Sequence, residues 1–261
     1  MAAAMATSPV ILLIGGHDPS GGAGLQADLE TVAAHACQAV SLVTCLTAQD
    51  TRNVRKLYPQ PAANFRRQLE VLLSDINPVM LKIGLLGEAR LASVLADCLQ
   101  QLDTPVVLDP VLAAGGGTDL ASAALLEVIR ERLLPRTRLL TPNRAEARRL
   151  SGSENAESAA QALLQTGCQQ VLLTGADEAE AGQVRNSLFN ADGRVDYDWP
   201  SLPHVYHGSG CTLASACACQ LALGLAPAEA VRAAQQFTWD ALRRANRPGK
   251  GQHIPNRRWR P

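Results

Sequence analysis

The chain has 261 residues, 47% of them apolar, and carries 24 basic against 24 acidic side chains. That length and composition suit one large α/β domain or two small ones around a substantial core. The balanced charge, with no basic stripe, excludes a nucleic-acid-binding surface as the organising function.

Seven cysteines (Cys37, Cys45, Cys98, Cys168, Cys211, Cys217 and Cys219) are odd in number and form no Cys-x-x-Cys pair. This argues against a disulfide framework or a zinc site and points to a reducing cytoplasm. The apolar run Val10–Ile14 is too short for a signal sequence, and the weakly polar run Cys211–Ala226 is too short to span a membrane. A cytoplasmic protein with no membrane or nucleic-acid partner is therefore expected. The basic tail Arg257-Arg258-Trp259-Arg260 reads as a solvated end.

In chain order, Val10–Ile14 is a continuous apolar pentad ending in Gly15-Gly16, the pattern of a buried parallel strand. A helix follows from near Gly22, with Leu25, Leu29, Val32 and Ala36 on one face. Val40–Leu46 is the second predicted strand. A helix lies between Pro61 and Asp75, then a strand at Val79–Ile83 ending in Gly84. Leu91–Leu102 is helical, Val106–Leu108 a strand and Ala121–Leu134 helical. Arg138–Leu140 is a short strand, with a helix starting at Asn143. Ala156–Gln165 is helical and Gln170–Leu173 a strand. Val184–Asn190 and Arg194–Trp199 form a hairpin turning at Ala191-Asp192-Gly193. Leu213–Leu225 and Ala228–Ala245 are helical. Strands separated by helices imply a mostly parallel sheet covered on both faces, and no linker or repeat divides the chain, so residues 1–261 read as a single α/β domain.

Ligands of such sheets bind outside the carboxyl ends of the strands. The polar residues there are His17 and Asp18; Thr47, Gln49 and Asp50; Asp109; Thr141, Asn143 and Glu146; and Thr174 and Gly175. The stretch Tyr206-His207-Gly208-Ser209-Gly210-Cys211-Thr212 opens a small-residue helix, whose first-turn N–H groups suit an anion. A cysteine at that place reads as a nucleophile or a base, its thiolate favoured by the helix dipole. Gly21-Gly22-Ala23-Gly24 is compatible with a tight turn as well as a ligand loop. It is a poor dinucleotide fingerprint because it stands too far from the strand, and no Walker-type Gly-Lys-Ser/Thr occurs. Glu146 three residues after Asn143 is explicable as a charge at a helix start or as a carboxylate facing magnesium through water.

Six motifs in order resemble one family: Gly16-His17-Asp18-Pro19-Ser20-Gly21-Gly22-Ala23-Gly24-Leu25-Gln26-Ala27-Asp28, Leu46-Thr47-Ala48-Gln49-Asp50-Thr51, Lys82-Ile83-Gly84-Leu85-Leu86, Asp109-Pro110-Val111-Leu112, Thr141-Pro142-Asn143-x-x-Glu146-Ala147 and His207-Gly208-Ser209-Gly210-Cys211-Thr212-Leu213. They are similar to the hydroxymethylpyrimidine/phosphomethylpyrimidine kinases of thiamine biosynthesis. The resemblance implies a ribokinase-like three-layer α/β/α sandwich with no separate lid domain and a homodimer. It implies ATP- and Mg²⁺-dependent phosphorylation of 4-amino-5-hydroxymethyl-2-methylpyrimidine and then of its monophosphate.

Carried over, Gly16, Asp28, Gln49, Leu85 and Val111 would bind the pyrimidine. Gly208, Ser209 and Gly210 would form the anion hole, and Cys211 would be the general base. Asp109, Asn143, Thr174 and Gly175 would face ATP, with Glu146 and Asp109 on the metal. Two lysines common in relatives are replaced here by Thr174-Gly175-Ala176 and the glycines after Ala114, leaving Mg²⁺, backbone N–H groups, Arg144 or Arg185 to meet phosphate charge. A pyridoxal kinase of the same fold is the nearest alternative. A thiol hydrolase built on Cys211 with His207 or His204, and a non-catalytic pyrimidine sensor, are the others.

Overall fold

A computed structural model of the protein describes residues 8–176 and 182–259. Among these, nine strands form one sheet: β1 (Val10–His17), β2 (Gln38–Gln49), β3 (Val54–Pro59), β4 (Met80–Ile83), β5 (Val106–Leu108), β6 (Thr137–Leu140), β7 (Val171–Leu173), β8 (Gln183–Asn190) and β9 (Gly193–Pro200). Their order is β3-β2-β1-β4-β5-β6-β7-β8-β9. Strands β2 to β7 in that row are mutually parallel, whereas β3 at one edge and the β8–β9 hairpin at the other add antiparallel pairings. Chain direction along the sheet reverses at β1, with β2 on one side and β4 on the other, which opens a crevice at their carboxyl ends.

Period-two alternation sorts the side chains between two helical layers. On β1, Leu12 and Ile14 pack toward α2 (Ala62–Leu73), α3 (Ala89–Leu99), α4 (Ala123–Val128), α5 (Arg144–Ser151) and α6 (Ala156–Gln165). Ile11 and Leu13 pack toward α1 (Gly24–Ala33), α7 (Ser209–Ala222) and α8 (Pro227–Arg243). All four are fully buried, each contributing about 1.5–3 kcal/mol relative to exposure. Helix α7 is lined almost all round by Ala214, Ala216, Cys217, Ala218 and Cys219, all buried, and these small side chains let it lie close to the sheet. Among the described residues no helix is long and apolar enough to cross a membrane.

The structure departs from expectation at three elements. Strand β2 runs on to Gln49 and β3 pairs back along it, a strand unforeseen because its side chains beyond Val54 mostly face outward at an edge. The helix expected over 121–134 is α-helical only to Val128, continuing as a π-turn at Ile129–Leu133 and a 3-10 turn at Leu134–Arg136, where Pro135 cannot donate to a regular helix. The basic tail is not a solvated end through Trp259. Arg257 is fully buried, and Trp259 packs against the α7–α8 side of the core.

Candidate active site

A cavity of about 610 Å³ opens along the carboxyl ends of the strands. At one end it is lined from β1 to β5 by Gly16, Thr47, Gln49, Val54, Leu85 and Val111. At the other it is lined from β7 to β9 and α8 by Thr174, Val184, Asn186, Trp199, Gln235, Thr238 and Trp239. Gly208, Ser209, Gly210 and Cys211 lie between the two ends, and a Cβ on Gly210 would stand 3.8 Å from Asp109 Oδ1, just past β5.

The anion hole follows from local chain chemistry. Gly208 has φ 80° and a Cβ there would collide with the Gly22 carbonyl, so only glycine fits. No side chain caps α7, and its first-turn residues Ser209, Gly210 and Cys211 line the cavity, where a helix start has N–H groups free for an anion. The facing glycine loop is ordered by Asp18, which accepts from Ser20 N at 2.7 Å and Ala23 N at 2.8 Å and contacts His207 Nε2 at 2.8 Å. Burial raises the Asp18 pKa, but hydrogen bonds from His207, Gln49 and Ser20 outweigh it and hold the carboxyl well below its usual range. Gln49 reaches Asp18 from a bulge in β2, where the register with β3 shifts between Ala48 and Gln49.

Beneath the anion hole lies a buried charge cluster. On β4, Lys82 shares a face with Met80, so it emerges under α1 and α7 rather than toward α2–α6. Its Nζ donates to Asp28 Oδ1 at 2.8 Å and stands 3.8 Å from Asp109 Oδ2. Ser215, one turn after Cys211 on α7, donates to the same Asp28 oxygen at 2.7 Å. Asp28 Oδ2 and Asp109 Oδ2 have no hydrogen-bond donor. Cys211 and Asp109 are electrostatic neighbours, each shifting the other's ionisation. Burial pushes the Asp109 carboxyl up despite Lys82. The Cys211 thiol is pushed up to about 12, by burial first and then by Asp109 and Asp28, with Lys82 opposing. Desolvation and the two carboxylates thus oppose the pull of the helix terminus toward a thiolate.

Of the residues expected at the site, Gly16, Asp28, Gln49, Leu85, Val111, Asp109, Asn143, Thr174, Glu146, Gly208, Ser209, Gly210 and Cys211 all line the cavity. Gly175 does not; its N–H donates to Asn186 Oδ1 at 2.9 Å, behind the wall. Asn143 and Glu146 form a capping box on α5, and Glu146 also accepts from Leu112 N at 3.3 Å. Neither Arg144 nor Arg185 lines the cavity, and Arg185 is forked onto Asp198 at 2.7 Å and 3.2 Å. His207 is committed to Asp18 and the His204 ring stacks on His253 with centroids 4.0 Å apart, so neither imidazole is hydrogen-bonded to Cys211 as the thiol-hydrolase arrangement needs.

Lys82 had not been singled out for a role. The available signal was a lysine within an otherwise apolar four-residue strand, Met80–Ile83. Beside the end of the cavity at β1 to β5, three loops are tied together: Asn53 Nδ2 donates to Gly116 O and Gln252 Nε2 to Gly115 O, each at 3.1 Å.

Comparison with known proteins agrees with this geometry. The family model described as phosphomethylpyrimidine kinase matches residues 18–256. A hydroxymethylpyrimidine/phosphomethylpyrimidine kinase from Synechococcus elongatus is 38% identical over 253 residues, covering 94% of this chain and 95% of that protein. Among solved structures, pyridoxal kinase from Staphylococcus aureus in complex with pyridoxal superposes with a TM-score of 0.88 at 27% identity, over 97% of this chain and 94% of that one. Phosphomethylpyrimidine kinase from Clostridium difficile gives a TM-score of 0.76 at 29% identity, over 90% and 99%. A cavity floored by an uncapped glycine-rich helix start, together with a family match spanning most of its length, places this chain in the phosphomethylpyrimidine kinase family.

Proposed function

We propose that the protein phosphorylates 4-amino-5-hydroxymethyl-2-methylpyrimidine and then its monophosphate, with ATP as donor. The observation that carries this reading is the position of the α7 N-terminus between two chemically different ends of one cavity. The end at β1 to β5 suits the pyrimidine. Leu85 and Val111 supply apolar walls, Gln49 a side-chain amide and Asp28 Oδ2 an acceptor without a donor, suited to an exocyclic amino group. The end at β8, β9 and α8 suits the nucleoside, with Trp199 and Trp239 as aromatic surfaces and Gln235 and Asn186 as polar partners.

The anion hole then faces the transferred phosphoryl group. Its N–H groups stabilise charge there without reorganising, the main contribution a protein makes to such transfers. Cys211 takes the hydroxyl proton on its sulfur while its own thiol proton passes to Asp109. Oxygen–phosphorus bonding replaces the bond to ADP. A raised Asp109 pKa suits an acceptor of that proton.

Among the described residues no group of three or more His, Cys, Asp or Glu side chains is arranged to hold a metal. Mg²⁺ keeps several waters and takes few carboxylates. Glu146, on the cavity wall beside Asn143 and Thr174, would hold it through water. Mg²⁺ when bound would neutralise phosphate charge. The contact of Asp109 with Cys211 and Lys82 supports a proton-handling role for it over the metal role expected from the sequence.

All seven cysteines are free, which supports a reducing cytoplasm. One sheet shared by all the described strands supports reading the chain as one domain. The exposed cross-strand pair Leu46 and Tyr58 on the β2–β3 edge supports a homodimer through that face.

The test is an ATP-coupled assay with hydroxymethylpyrimidine, its monophosphate and pyridoxal as acceptors. Higher kcat/KM for the pyrimidines is expected. The 0.88 TM-score to a pyridoxal kinase favours pyridoxal as the second reading, and higher kcat/KM for it would replace the first. No ATP turnover with any acceptor would leave a binding protein.

A further inference from the structure

Arg257 follows α8 in a stretch that pairs back onto the anion-hole loop. His207 N donates to His253 O at 2.8 Å, and His253 N donates to Val205 O at 2.9 Å. The side chain is fully buried, yet it points neither to solvent nor into the cavity. Its guanidinium joins two loops instead. Nε donates to Thr212 Oγ1 at 2.8 Å, and the Thr212 hydroxyl donates to Gly208 O at 2.7 Å. On the opposite loop, Nη1 donates to Gly21 O at 3.4 Å and Nη2 donates to Gly22 O. Glu30 Oε2, at 3.3 Å from Nη1, supplies the counter-charge.

These contacts have a common geometric effect. Gly208 and Thr212 belong to the anion hole and the first turn of α7; Gly21 and Gly22 belong to the glycine loop between β1 and α1, which continues from the end of β1 where Gly16 lines the acceptor end. A planar fork of five donors can hold acceptors on both loops at once, which a lysine ammonium on its flexible stem cannot reproduce. The two loops already interlock, since a Cβ on Gly22 would strike the His207 ring. Arg257 closes that interlock from behind.

We propose that Arg257 is a positioning residue for phosphoryl transfer, fixing the anion hole against the acceptor-side glycine loop and so setting the separation of the transferred phosphoryl group and the accepting hydroxyl. This rests on the phosphotransferase reading of the cavity. Near-attack geometry is sensitive to displacements of about 1 Å, which can cost on the order of 10²-fold in rate.

The experiment compares wild type, R257K, R257M, R257A and E30Q for kcat, for KM toward hydroxymethylpyrimidine and ATP, and for Tm. Expected is a kcat loss on the order of 10²-fold in R257M, with both KM values little changed. R257K should be intermediate in kcat and close to wild type in Tm. E30Q, which keeps the hydroxyl and carbonyl contacts, should retain kcat. Guanidinium at sub-denaturing concentration should restore part of the R257A rate, and an equal concentration of ammonium should not.

A folded R257M or R257K with wild-type kcat would overturn the proposal. So would an R257A rate indifferent to guanidinium, which also decides the matter if R257M does not fold. Wild type inactive toward the pyrimidine would instead overturn the substrate reading.

Discussion

Lys82 Nζ lies 2.8 Å from Asp28 Oδ1, with both side chains wholly out of solvent. The pair joins β4 to α1 directly under α7, and its cation is shared with Asp109 at 3.8 Å. Lys82 therefore neutralises carboxylates that two different parts of the site require.

Removing that cation leaves two buried carboxylates without one. The K82M variant should lose about 3–5 kcal/mol of stability, as expected when one partner of a buried pair is deleted. Urea unfolding measures this. Adding D28N to K82M should recover part of the loss, and a K82M protein as stable as wild type would show the pair to be dispensable.

Cys211→Ala keeps the backbone of the anion hole and removes only the group that handles the proton. Its kcat should fall on the order of 10²–10⁴-fold, the range for a general acid–base group, with pyrimidine KM little changed. Steady-state kinetics on both acceptors checks this. Near-normal kcat would move proton acceptance to Asp109 alone.

The thiol itself offers a pH test. With its pKa pushed up to about 12, first by burial, Cys211 is protonated across the neutral range. Its iodoacetamide modification rate in the free protein, followed by mass spectrometry of the Cys211 peptide, should keep rising about tenfold per pH unit from pH 7 to 10. A plateau near pH 8 would mean that the helix terminus outweighs desolvation after all.

Asp18 has the opposite sign. Its carboxyl is held well below the ordinary carboxylate range by hydrogen bonds from His207, Gln49 and Ser20, despite its burial. A depressed folded pKa contributes stability that is present above the unfolded pKa and lost as pH falls through the folded one. The Tm advantage of wild type over D18N should therefore be full at pH 6 and shrink only below about pH 3.8. A constant difference down to pH 3 would place the effect of D18N in loop geometry rather than charge.

Much of this was legible because it is periodic or local. The pentad Val10–Ile14 could only be a doubly covered strand, and the run of small residues after Cys211 could only be a helix lying close to other structure. Gly208, Asn143 and Glu146 announced themselves through positions that turns and caps demand. What was not legible depends on long-range pairing. Strand β3 exists because Val54–Pro59 finds the edge of β2, which its own exposed, charged pattern does not encode. The ionisation of Cys211 is not set by its own stretch of sequence, because a helix terminus can be read locally, whereas the carboxylates of Asp28 and Asp109 arrive from other elements. Arg257 looked like part of a charged tail because nothing nearby in sequence reveals that Thr212 and Gly22 surround it.

That last contact bears on how the protein matures during synthesis. The glycine loop at residues 16–24 and the anion-hole loop at 206–212 leave the ribosome well before Arg257, since α8 lies between. A nascent chain halted after α8 would hold its complete sheet and both loops, yet would lack the residue that binds one loop to the other. If Arg257 sets the geometry of transfer as proposed, the full rate would be reached only after this arginine emerges and closes the interlock.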